Sequence, residues 1–232
     1  IAHVNASGTV SASTQFVGGV AGIIRESSSL TDITFSGNVN APDANYVGGI
    51  TGGLSKQSSI SAIQLKSSTI SGKSYVGGIT GSLTEDATIS DATLKFDTQI
   101  SGENIVGGIV GESTVPLSNL ISDGKLAMTP LGSSPDPHFA GGIVALFSGN
   151  SLSNLTNKTH LTITDTTNPT PGGTSVGGIA GSVTEPAALT NLRNEGKITY
   201  NSLAMPPQKL PNDCLTQIGG IVGSLGKSNT LS

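Results

Sequence analysis

The sequence predicts an all-β fold, a parallel β-helix (β-solenoid) of about seven coils with a repeat of about 30 residues. Three observations carry the prediction. A glycine pair followed by Ile or Val occurs seven times, at Gly18-Gly19, Gly48-Gly49, Gly77-Gly78, Gly107-Gly108, Gly141-Gly142, Gly177-Gly178 and Gly219-Gly220. Successive first glycines stand 30, 29, 30, 34, 36 and 42 residues apart. Apolar residues recur at a spacing of two around each pair, and helical spacing is absent. A propeller blade needs about 40 residues and four strands, and a sandwich does not repeat one motif seven times.

The first element of each repeat reads as one strand running through the glycine pair. Val20, Ile50, Ile79, Ile109, Ile143, Ile179 and Ile221 follow the first glycine by two residues, and Ile24, Leu54, Leu83, Ser113, Phe147, Val183 and Leu225 follow it by six. On the same parity, two residues before it, stand Phe16, Tyr46, Tyr75, Ile105 and Phe139, then Ser175 and Gln217. This predicts an aromatic stack through the first five coils that lapses in the last two. Four residues after the glycine stand Gly22, Gly52, Gly81, Gly111, Ala145, Gly181 and Gly223. Such a column is expected to be crowded, with Gly81→Val harmful and Gly81→Ala milder.

The second element begins ten to twelve residues after the pair, in the form apolar-x-x-apolar-x-x-x-small-x-apolar: LTDITFSGNV, ISAIQLKSST, LSNLTNKTHL and LTNLRNEGKI are instances, and HVNASGTV matches the latter half. Gly and β-branched residues at this density favour short strands. The connection back to the next glycine pair is short and polar early (APDAN, SGKS, SGEN) and enlarged late, over 127–139, 164–175 and 201–217. In a solenoid these insertions emerge along one edge, where binding faces often form.

With 11% charged residues, no Trp and a net charge of -4, the chain lacks the basic footprint of a nucleic-acid binder. No apolar stretch approaches the ~20 residues of a membrane-spanning helix, so no membrane insertion by this segment is expected. Cys214 has no second cysteine to pair with. Without an initiator Met or a leader, 1–232 reads as a single domain cut from a longer polypeptide, with adjoining domains at its ends.

Candidate chemistry is thin. No Lys-Ser or Lys-Thr follows the glycines as a phosphate loop requires. Eight residues after each first glycine the column reads Glu26, Lys56, Glu85, Val115, Gly149, Glu185 and Lys227. Glu26 and Glu85 would stand about 10 Å apart, near the spacing of an inverting glycosidase pair, but Lys56 would occupy the space a sugar needs. A surface charge ladder accounts for the column better. His3, His138 and His160 have no second ligand at metal spacing and are expected to be exposed or in loops. No metal, cofactor or catalytic residue is assigned. Asn5, Asn154 and Asn157 begin N-glycosylation triplets.

The segments YVGGITGSL, SVGGIAGSV and IGGIVGSL, each preceded by a stretch like LTNLRNEGKITY, resemble the GLUG-type repeats of large bacterial surface proteins, adhesins and secreted immunoglobulin-protease precursors. A looser likeness is to the passenger domains of chlamydial polymorphic membrane proteins. The resemblance covers nearly the whole chain and implies bacterial cell-surface or secreted display and adhesion. The function expected is that of a non-enzymatic stalk or adhesin segment binding a host protein or glycan through Leu131, His138, Phe139, Leu203, Met205 and Leu210 of the late edge. A β-helical polysaccharide lyase or hydrolase is the alternative, and a purely structural spacer the third.

Overall fold

The computed structural model describes residues 1–95, 97–130, 136–165, 173–202, 216–226 and 230–231. Among them every regular element is a strand, and the strands pair in parallel with their counterparts one repeat before and one repeat after. Four ladders result. The first comprises Phe16–Gly18, Tyr46–Gly48, Val76–Gly77, Ile105–Gly107, His138–Gly141, Thr174–Gly177 and Thr216–Gly219. The second comprises Ala21–Ile24, Thr51–Leu54, Thr80–Leu83, Val110–Ser113, Val144–Phe147, Ala180–Val183 and Val222–Leu225.

The third and fourth ladders both start from the long strand Ser29–Ala41, along which Ala2–Ser11 also pairs. In later repeats the predicted second strand divides, as into Ser59–Leu65 and Thr69–Gly72, or Ser151–Asn157 and His160–Asp165. Because Ser29–Ala41 is unbroken, the two ladders count as one sheet of thirteen strands.

The expectation of one strand through each glycine pair is corrected: the chain bends there and passes from the first ladder to the second. Close backbone approach explains why glycine is needed. A Cβ on Gly48 would lie 2.2 Å from the Thr51 carbonyl oxygen and 2.4 Å from that of Ile79, and one on Gly49 would lie 2.4 Å from that of Gly78. The bend also resets the alternation. In the first ladder Val17, Val47, Val76, Val106, Ala140 and Val176 belong to the buried core, whereas Phe16, Tyr46, Tyr75, Ile105 and Phe139 stand outside it. Phe16 stacks on Tyr46 with centroids 4.7 Å apart, and Tyr46 on Tyr75 at 4.8 Å. The stack predicted through five coils therefore has three rings, since the aliphatic Ile105 separates Tyr75 from Phe139.

The spacing of three in the third ladder has a backbone cause. Asp32, Ala62, Asp91, Asn119, Asn154 and Asn191 all have φ between 51° and 57°. The ladder skips them, pairing Thr31 with Ser61 and then Ile33 with Ile63. Each left-handed residue lets the inward side chain recur after three residues, as in Leu30 and Ile33 or Leu152 and Leu155, all buried. Asp and Asn pay least among non-glycine residues for this conformation. Along the exposed side the Asn154 amide donates to Asn119 at 3.2 Å, and that of Asn191 to Asn154 at 2.7 Å.

The core runs as one hydrophobic cluster from Val17 to Leu189. At one interior position, however, Phe35, Leu65 and Leu94 give way to Ser122, Asn157 and Asn194. The polar members are satisfied there, as burial demands. The Asn157 amide donates to Asn194 at 2.8 Å, its oxygen accepts from the Thr159 N–H at 2.9 Å, and Ser122 and Thr159 share a hydrogen bond of 2.6 Å. Asn157 is thus a core residue, closed to glycosylation.

The structure bears on two further expectations. A Cβ on Gly81 would lie 2.5 Å from the Tyr75 carbonyl oxygen and 2.6 Å from the Val47 nitrogen, both backbone, so even alanine overpacks this site. Glu26, Lys56 and Glu85 do stack in register, yet no ion pair joins them. All three have left-handed backbones in the exposed turn between the second and third ladders.

Candidate functional site: an aromatic-floored groove

Turning the aromatic column away from the core places it against the outward row of the second ladder, where Ile23, Gly53, Ser82, Glu112, Leu146 and Ser182 follow in register. The rows are close: a Cβ on Gly53 would lie 3.0 Å from the Phe16 ring. Further along, an open cavity of about 620 Å³ lies between them, within the ~300–1,000 Å³ of small-ligand sites. Tyr75, Ile105, Phe139 and Leu146 supply its apolar surface. Asn45, Lys73, Glu103, Asn104 and Asp136 supply polar groups. These polar residues belong to the connections from the fourth ladder to the first, the same connections that enlarge in the late repeats.

Backbone bonds between repeats hold the polar rim. The Glu103 N–H donates to the Lys73 carbonyl at 2.9 Å, the Phe139 N–H to that of Asn104 at 2.8 Å, and the Val47 N–H to that of Tyr75 at 3.2 Å. Tyr75 itself has φ 47°. A bulky residue in this region costs roughly 1–3 kcal/mol, and such strain clusters at functional sites.

Glu112 is the carboxylate of the second ladder's outward row. Burial raises its pKa above the ordinary glutamate value, offset in part by the Ser82 hydroxyl, which donates to it at 2.9 Å. The Tyr46 and Tyr75 hydroxyls are also raised, first by burial and then by the charge of Glu112. The groove therefore combines aromatic and aliphatic surface with amides, an ammonium and carboxylates.

Of the residues assigned from sequence, Phe139 lines the groove. Its neighbour His138 does not, because the strand's alternation turns it inward to 0% exposure; the expectation of an exposed or loop histidine is corrected. Among the described residues, neither ring nitrogen meets hydrogen-bond geometry with a partner. Burial pulls the imidazole pKa down, opposed by the Gly173 backbone and by the charges of Asp165 and Asp136. Nearby in register stand Thr174 and Thr216, and the Tyr200 hydroxyl donates to Asp165 at 2.8 Å. His3 is exposed and bonded to Asp32, and His160 is exposed and accepts the Lys197 N–H at 3.2 Å. Leu131, Leu203, Met205, Leu210 and Cys214 lie outside the described residues, as do 131–135, 166–172 and 203–215 of the enlarged connections.

Sequence reasoning missed Lys73, Glu103, Asn104, Glu112 and Asp136. Glu112 had a signal: five residues after the first glycine the column reads Ile23, Gly53, Ser82, Glu112, Leu146, Ser182 and Ser224, with one acid among small and apolar residues. Among the described residues no group of three or more His, Cys, Asp and Glu converges as a metal site. Compared with protein-family models, with curated proteins and with solved structures, the chain matches none.

Proposed function

We propose that the chain is a parallel β-helix of about seven coils, displayed on the surface of a bacterium or secreted from it, and that it binds a host protein or glycan without catalysing a reaction. The observation that carries this reading is the groove in which Tyr75, Ile105, Phe139 and Leu146 meet the polar groups of Lys73, Glu103, Asn104 and Asp136. A concave, partly apolar site with a few placed polar groups is the usual form of a ligand site. The four ladders in register support the solenoid, and the GLUG-like motifs support surface display and adhesion. The binding face proposed here is the groove beside the late edge, with Phe139 common to both.

The test is an array of glycans and host proteins probed with wild type and with Phe139→Ala. Binding by wild type that falls at least tenfold in the variant, with strand content unchanged, supports the assignment. Undiminished binding by the variant, or no binding by wild type, overturns it.

A second reading, polysaccharide hydrolysis, draws on Glu112, whose raised pKa suits a general acid. It requires a second carboxylate across the scissile bond, for which Glu103 and Asp136 are the groove's candidates. Release of reducing ends from a polysaccharide, abolished by Glu112→Gln, would establish it.

A further inference from the structure

We infer that the groove takes a neutral glycan segment, held by side chains alone; this rests on the binding function proposed above. Three observations select that ligand class. First, the backbone of this face is already committed. The strands of the first two ladders beneath the cavity pair on both sides with neighbouring repeats, so a peptide has no free strand edge to extend here, and recognition falls to side chains.

Second, the charges do not suit an anion. Among the described residues lining the cavity Lys73 is the one cation, against Glu103 and Asp136, with Glu112 in the adjoining outward row. A uronate or sulfated chain would bring further negative charge to a site already carrying more acid than base, and like charges at close range are repulsive.

Third, the remaining groups match what a neutral sugar offers, a weakly apolar C–H face with hydroxyls around its edge. The apolar face fits Tyr75, Ile105 and Phe139. The hydroxyls, each both donor and acceptor, fit the amides of Asn45 and Asn104, which also offer both, and the acceptor oxygens of Glu103. The strained backbone of Tyr75 at this spot is consistent with a ring held in place for binding.

The experiment titrates the intact chain with cellohexaose, mannohexaose, xylohexaose and hexa-N-acetylchitohexaose, and in parallel with heparin and polygalacturonate, by calorimetry at one ionic strength. Binding of at least one neutral hexasaccharide is expected, with affinity falling tenfold or more in Phe139→Ala and severalfold in Asn104→Ala, a substitution in the cavity lining. Glu103→Lys should leave neutral binding weakened and begin to admit polygalacturonate. The inference is overturned if only heparin or polygalacturonate binds, if no glycan binds, or if neutral binding is unchanged in both Phe139→Ala and Asn104→Ala. A host protein that binds wild type and loses affinity in Phe139→Ala, with no glycan bound, would end this inference and leave the binding function standing. If neither kind of ligand binds, both fall.

Discussion

Replacing Gly81 by alanine probes a close backbone approach between the first two ladders. An ideal Cβ there would stand 2.5 Å from the Tyr75 carbonyl oxygen, 2.6 Å from the Val47 nitrogen and 2.8 Å from the Gly52 carbonyl oxygen, where ordinary contact begins near 3.4 Å. All three atoms are backbone, so no rotamer change can relieve the clash. Two of them also form the 3.2 Å hydrogen bond from Val47 to Tyr75, which links successive repeats beneath the aromatic stack. Overpacking of this kind costs ~1–3 kcal/mol, and weakening the hydrogen bond adds up to about 1 kcal/mol. Gly81→Ala is thus expected to destabilise by ~1–4 kcal/mol, and Gly81→Val by more. Urea unfolding followed by circular dichroism gives the midpoint for the whole array, while tyrosine fluorescence, in a chain with no Trp, reports on Tyr46, Tyr75 and Tyr200, and its difference from a Tyr200→Phe background isolates the two near Gly81. A Gly81→Ala midpoint equal to that of wild type would refute the packing argument.

Glu112 has a pKa raised by burial, so its favourable contribution is fully present below the unfolded-state value and is lost as pH rises through the folded-state value. Glu112→Gln should therefore raise the melting temperature relative to wild type at pH 8 and lose that advantage at pH 4; an equal difference at both pH values sinks the idea. His138 behaves oppositely in sign, because burial lowers its pKa: its contribution is present above the unfolded-state value and declines as pH falls toward the folded-state value. Thermal melts between pH 7.5 and 5 should show a smaller loss of stability for His138→Leu than for wild type, and parallel curves would contradict this. Ala62 holds φ 53° without the side-chain compensation available to Asn or Asp. Ala62→Gly is expected to gain up to ~1 kcal/mol in urea unfolding, and a loss of stability would remove strain as the account of that column.

The seven glycine pairs and the spacing of two around them determined an all-β chain of repeats, because glycine at close backbone contacts and alternation in strands leave a direct mark on residue order. The column of Gly22, Gly52 and Gly81 likewise announced its crowding. The direction in which the aromatic column points was not legible. Its parity relative to Val20 and Ile50 suggested a shared face, and only the bend at the glycine pair, where carbonyl groups of the same and the next repeat leave no room for a Cβ on Gly48 or Gly49, set Val47 inward and Tyr46 outward. The same inversion buried His138 while leaving Phe139 in the groove. Lys73, Glu103 and Asp136 lie in connections whose sequences look like ordinary polar turns. Their convergence on one cavity comes from stacking three repeats in register, a long-range arrangement that no single stretch of the chain encodes.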